Sequence, residues 1–123
     1  MKEFLILFRE PDGRKDIHTP EATSRHRENW NAWMDKMTAE NRLAGGMPLT
    51  LNGKVIRGKE RIISEGPHTV GDEIVGGYLL INATNLEEAT ALIQSCPIFE
   101  FDGYAEVREI MPVPVSSAGN RAS

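Results

Sequence analysis

Phe4-Leu5-Ile6-Leu7-Phe8 is the stretch on which the fold turns. All five residues are apolar, and none offers a polar face to water. Side chains alternate across a strand, so an unbroken apolar run reads as a strand covered on both faces. It therefore belongs at the centre of a sheet. Glu3 precedes the run, and Glu10-Pro11-Asp12-Gly13 ends it with turn chemistry. Five apolar residues are too few for a signal-peptide core or a membrane span.

Downstream, Thr19-Pro20-Glu21 marks a helix start. Thr19 can cap free backbone N–H groups, Pro20 suits the first helical position, and Glu21 complements the positive helix end. The helix runs to about Asn41. Trp30, Trp33, Met34 and Met37 form its apolar stripe, and His26 lies one turn earlier. Leu43-Ala44-Gly45-Gly46 closes the helix and begins a strand. In Leu49 to Ile56 the Asn52-Gly53 pair predicts a type I′ turn joining two short strands. Arg61-Ile62-Ile63 is a candidate for a further short strand, and Ser64 to His68 is a loop. Glu73 to Ala83 is strand again, with Gly76-Gly77 marking a bulge or a close backbone approach. Asn85 caps a second helix, with Glu88 as capping-box partner and Ala89, Leu92, Ile93 and Cys96 as its inner stripe. Pro97 stops it. Tyr104 to Met111 is the last strand. Residues 1–111 read as one domain and 112–123 as a flexible tail of Pro, Ser, Ala and Gly.

The order is β-α-β, a hairpin excursion, then β-α-β. This is the α+β, ferredoxin-like βαββαβ arrangement with an inserted β-hairpin. Two helices cover one face of an antiparallel sheet, yet the first strand needs cover on both. The simplest second cover is another copy of the same sheet. The expectation is a homodimer through sheet faces, a dimeric α+β barrel.

The chain has 123 residues, 40% apolar and 26% charged, which suits one globular domain. A formal charge of -4 argues against broad nucleic-acid binding. Lys54, Arg57, Lys59 and Arg61 form a local basic cluster, read as a solvated hairpin face. The single cysteine, Cys96, cannot form an internal disulfide, and a cytoplasmic protein is the default.

Candidate chemistry is sparse. His26 can act as a general acid or base beside Trp30 and Trp33; its plainer reading is a half-exposed, hydrogen-bonded histidine near a helix start. His68 and Glu65 can form a carboxylate–imidazole pair, or both can stand in water on a loop. Trp30 and Trp33 can stack on a planar ligand, or simply fill the core. Arg9 and Arg108 are candidates for holding an anion. Glu106 and Arg108 lie two apart on a strand and share a face. His18, His26, His68 and Cys96 show no close ligand spacing, so no metal is expected, and no phosphate loop or dinucleotide fingerprint implies a cofactor.

The sequence resembles the YCII-related family, in its DGPF-domain branch. The resemblance rests on Met1-Lys2-Glu3-Phe4, Trp30-Asn31-Ala32-Trp33-Met34 and Gly45-Gly46-Met47-Pro48-Leu49. It continues through Val75-Gly76-Gly77-Tyr78, Glu87-Glu88-Ala89, Cys96-Pro97 and Glu106-Val107-Arg108, in order over residues 1–111. It implies the same dimeric ferredoxin-like barrel. The branch's Asp-Gly-Pro-Phe is here Glu65-Gly66-Pro67-His68. The helix histidine and pre-proline aspartate of some relatives correspond to Trp30 and Cys96. Two functions follow as expectations: a cofactor-independent small-molecule enzyme of isomerase or lyase type, with His-mediated proton transfer; or a non-catalytic small-ligand-binding or regulatory interaction module.

Overall fold

The computed structural model describes residues 1–11 and 18–112. The expected tail (112–123), apart from its first residue Pro112, and the Asp12-Gly13 part of the first turn lie outside the described residues.

The elements are β1 (Lys2–Pro11), α1 (Pro20–Ala39), β2 (Leu43–Pro48), β3 (Lys54–Arg57), β4 (Ile62–Glu65), β5 (Glu73–Ala83), α2 (Leu86–Gln94), a 3-10 helix (Pro97–Phe101) and β6 (Tyr104–Glu109). The main sheet has the order β2-β5-β1-β6, antiparallel throughout, which is the ferredoxin-like order. β1 is central, as its unbroken apolar run requires. The described strands form an open sheet rather than a closed barrel.

Phe4, Ile6 and Phe8 point under the helices and are buried, together with Leu79, Ile81 and Ala83 of β5. Trp33 and Met37 of α1, Ala89 and Ile93 of α2, then Cys96 and Ile98, close this core from the other side. Full burial of a side chain the size of Phe4, Ile6 or Ile81 stabilises by roughly 1.5–3 kcal/mol each. Leu5 and Leu7 face the other way, opposite Leu80 and Tyr78, and are only partly covered.

Both helix starts are capped as their sequences direct. Thr19 Oγ1 accepts from the Ala22 N–H at 3.0 Å, and Asn85 Oδ1 accepts from the Glu88 N–H at 2.9 Å. The return bond of the second cap differs from a capping box. Glu88 accepts from the Thr84 N–H at 2.7 Å, one residue upstream of the cap, and from Arg42 at 2.8 Å. Those two donors hold its carboxyl below the usual range.

The hairpin is present, but its turn is elsewhere. β3 pairs β4 with Lys54 opposite Glu65 and Arg57 opposite Ile62, so the chain reverses at Gly58 to Arg61. Gly58 and Arg61 take the positive φ angles (79° and 56°), while Asn52 and Gly53 take none. The reason is the stem: the Gly66 N–H donates to the Gly53 carbonyl at 2.8 Å, so Gly53 closes the base of the ribbon rather than its tip. Leu49 is tied to the main sheet instead, its N–H donating to the Gly76 carbonyl at 2.9 Å.

Candidate active site between the first helix and the sheet

Alternation along β1 carries the helix-facing row past Phe8 to Glu10. At that point β5 bulges. Phe8 pairs with Gly77 and Arg9 with Val75, leaving Gly76 as the extra residue. Gly76 lies directly against Glu10: a Cβ there would collide with the Glu10 carboxylate. The expected bulge is thus at Gly76, where it makes room for an acid side chain, and the expected close backbone approach is at its neighbour. Gly77 does the same for the β2 backbone, since its Cβ would meet the Met47 carbonyl at 3.1 Å.

Above this bulge, α1 and the ends of β1, β2 and β5 enclose a cleft of about 640 Å³. Phe8, Trp30, Met34 and Ile98 supply apolar wall, and Glu10 and His26 supply titratable groups. Burial pushes the Glu10 carboxyl above its ordinary range, against a weaker opposing pull from His26.

His26 is held at both ring nitrogens. Trp30 Nε1–H donates to Nε2 at 2.9 Å, and Nδ1 meets Glu100 Oε1 at 2.8 Å. An indole can only donate, so Nε2 accepts and Nδ1 carries the proton toward Glu100. Glu100 also accepts from Asn29 Nδ2 at 2.8 Å. The His26 hydrogen bond comes first among the causes that hold the Glu100 carboxyl below its usual range. The 3-10 helix is thereby clamped to α1, and the indole of Trp30 is fixed as cleft wall. Phe8 meets it edge-on at 5.3 Å.

The other residues singled out in the sequence lie elsewhere. Trp33 is buried and donates to Ser95 Oγ at 3.0 Å, as core. Glu65 pairs with Lys54 at 2.8 Å on the exposed hairpin, and Arg57 Nη2 donates to His68 Nδ1 at 3.3 Å. The two do not pair with each other, and neither lines the cleft with His26. Arg9 and Arg108 share one partner on the open face, Glu106, at 3.2 and 3.3 Å. Cys96 is buried, and burial above all pushes its thiol up to about 12, which leaves no thiolate at neutral pH. Glu10 escapes sequence reasoning because Glu10-Pro11-Asp12-Gly13 has the composition of a turn. The period-2 row Phe4, Ile6, Phe8, Glu10 was the signal that places it.

The family model for the YCII-related domain matches residues 3–114. The chain belongs to the YCII-related family. No curated protein matches the sequence. Among solved structures, a 5-chloro-2-hydroxyhydroquinone dehydrochlorinase from Burkholderia phenoliruptrix, solved with 2,5-dihydroxybenzoquinone, is similar at 17% identity. That match has a TM-score of 0.46 and covers 89% of this chain and 93% of that one. At that score the reaction of the dehydrochlorinase is a fact about that enzyme alone.

Among the described residues, three or more His, Cys, Asp or Glu side chains nowhere gather as a metal would need, and no helix is long and apolar enough to cross a membrane.

Proposed function

We propose that this YCII-related chain is a cofactor-independent small-molecule enzyme of the isomerase or lyase kind, and that Glu10 is its proton-transferring group. The observation that carries the reading is the half-buried Glu10 carboxyl at the base of an apolar cleft, with its proton affinity raised by burial. A carboxyl whose proton affinity burial has raised can both accept and return a proton. His26 serves as a positioning residue here: to act as a base it would have to release the Trp30 N–H. Trp30 shapes the cleft, while Glu65, His68, Arg9 and Arg108 stand outside it. The single unpaired thiol suits the reducing cytoplasm.

The test is exchange of carbon-bound protons. A panel of small acidic C–H compounds incubated in D2O with the full chain, followed by proton NMR, should show deuterium entering at least one. Glu10→Gln should lose about 100-fold or more of that exchange. A compound that binds in the cleft but exchanges at the same rate with Gln at position 10 would point to the other reading, a ligand-binding module without chemistry.

The second copy expected from the sequence belongs to the same proposal. Leu5, Leu7 and Leu80 form a partly covered apolar row on the open face, with the Arg9–Glu106–Arg108 network beside it. Pairing of two such faces would cover that row. Light scattering behind size exclusion should give twice the chain mass; a clean monomer removes this part.

A further inference from the structure

The helix that roofs the cleft carries three parallel rows. Trp33 and Met37, four apart, are buried core. His26, Trp30 and Met34, also four apart, are cleft wall, and so is the next row round, Thr23, Arg27 and Asn31. This last row is polar and carries one cation. Among the described residues no ion pair engages Arg27. Arg25, two residues earlier and so on another side of the helix, differs: it lies in the field of Glu100. Thr23 stands in the first turns of α1, where the helix end itself favours negative charge. The cleft therefore has an apolar trough, an acid at its base and, along one side, a guanidinium that no ion pair engages among the described residues, flanked by a hydroxyl and an amide.

We propose that the cleft takes an amphipathic small molecule with a single carboxylate head. The head lies along Thr23, Arg27 and Asn31, and a flat apolar body lies against Trp30 and Phe8. This rests on the reading of the cleft as a small-molecule site. It adds an orientation. A carboxylate cannot lie beside Glu10 without like-charge repulsion, so the head takes the Arg27 side and the body reaches inward. The atom brought to Glu10 is then one of the body, several bonds from the carboxylate.

A matched pair of probes tests it: 1-naphthoate and its neutral counterpart 1-naphthamide, titrated into the full chain by calorimetry, with indole N–H resonances followed by NMR. Naphthoate should bind about tenfold more tightly than the amide, the scale of one charge-assisted contact at a partly wet site. The Trp30 indole signal should move on titration while that of Trp33, bonded to Ser95, stays. Arg27→Gln, a substitution on the exposed side of α1, should bring the two affinities together by weakening naphthoate alone. Equal affinities in the unaltered protein, or a preference that survives in Arg27→Gln, overturn the carboxylate head while leaving the cleft a binding site. Binding of neither probe overturns the cleft as a site for such bodies, and the carboxylate head with it.

Discussion

The two faces of β1 match for most of their length and end in opposite chemistry. Phe4, Ile6 and Phe8 lie under the helices at 0%, 0% and 6% exposure, while Leu5 and Leu7 line the open face and are only partly covered. At the strand's end Glu10 continues the first row and Arg9 the second. Arg9 reaches Glu106, which Arg108 also holds, and the Glu106 carboxyl sits below its usual range for that reason. Glu10 is carried under α1 into an apolar cleft, and its carboxyl is pushed the other way. One peptide bond separates a balanced surface network from a half-buried carboxyl with raised proton affinity. What distinguishes them is the depth to which alternation delivers each side chain.

The largest expected effect lies in the apolar halves of these rows. Phe4→Ala should cost about 3–5 kcal/mol, since a fully buried ring leaves a cavity that the core cannot close. Leu5→Ala, next to it on the open face, should cost about 1 kcal/mol in an isolated chain, with little cavity term. Urea unfolding of both measures the gap. Equal costs, with the Leu5→Ala midpoint moving with protein concentration, would mean that a second copy covers the open face as fully as the helices cover the other.

At the charged ends the comparison is sharpest in turnover. Glu10→Gln should lose about 100-fold or more, equivalent to about 2.7 kcal/mol of barrier, while Arg9→Gln should leave the rate close to wild type. A larger loss from Arg9→Gln than from Glu10→Gln would move the chemistry to the open face.

The legibility of the sequence follows the same division. Period and punctuation placed the main sheet: the apolar run of β1, the caps at Thr19 and Asn85, and the strand from Glu73 to Ala83 were all readable, because each rests on a local rule. The hairpin turn was not. Asn52-Gly53 has the local chemistry of a type I′ turn, but the bond from Gly66 to Gly53 fixes that pair at the stem, and a non-local bond leaves no local trace. The site fared similarly. His26 and Trp30 were visible as a helix face. Their partner Glu100 was not, since it lies 74 residues from His26 and meets it only once the 3-10 helix docks. Arg9 and Arg108 are candidates for an anion by charge alone; that Glu106 and Arg108 share a face and can pair is legible two residues apart on one strand, but the reach of Arg9 to the same carboxylate, 97 residues away, is not.

Glu10 also leaves a signature in stability against pH. Its folded-state proton affinity is raised above that of an unfolded carboxyl. A group shifted in this direction favours the fold while protonated, and that contribution is lost as pH rises through the raised value. Glu10→Gln cannot ionise. Its advantage in melting temperature over the unaltered protein should therefore grow from acid toward neutral pH. An advantage that shrinks over that interval would mean that the cleft stabilises the carboxylate and that the acid is not held in reserve.

The smallest expected effect concerns the hairpin, the region most unlike the cleft. The Glu65 side chain is 79% exposed and its Lys54 partner 59%, so the pair gains little over water. His68 accepts from Arg57 at its Nδ1, which places any ring proton on Nε2, facing away from that guanidinium. Neither residue reaches the cleft lining. Glu65→Gln and His68→Ala should each change stability by no more than about 0.5 kcal/mol, by urea unfolding, and leave proton exchange unaltered. Gly66, with φ of 88° and its N–H bonded to Gly53, is what the Glu-Gly-Pro-His stretch contributes here: a turn that anchors the ribbon. A loss of about tenfold in exchange from either substitution, about 1.4 kcal/mol of barrier, would show the ribbon folding over a cleft during turnover. The chemistry would then depend on a face that alternation along β1 does not reach.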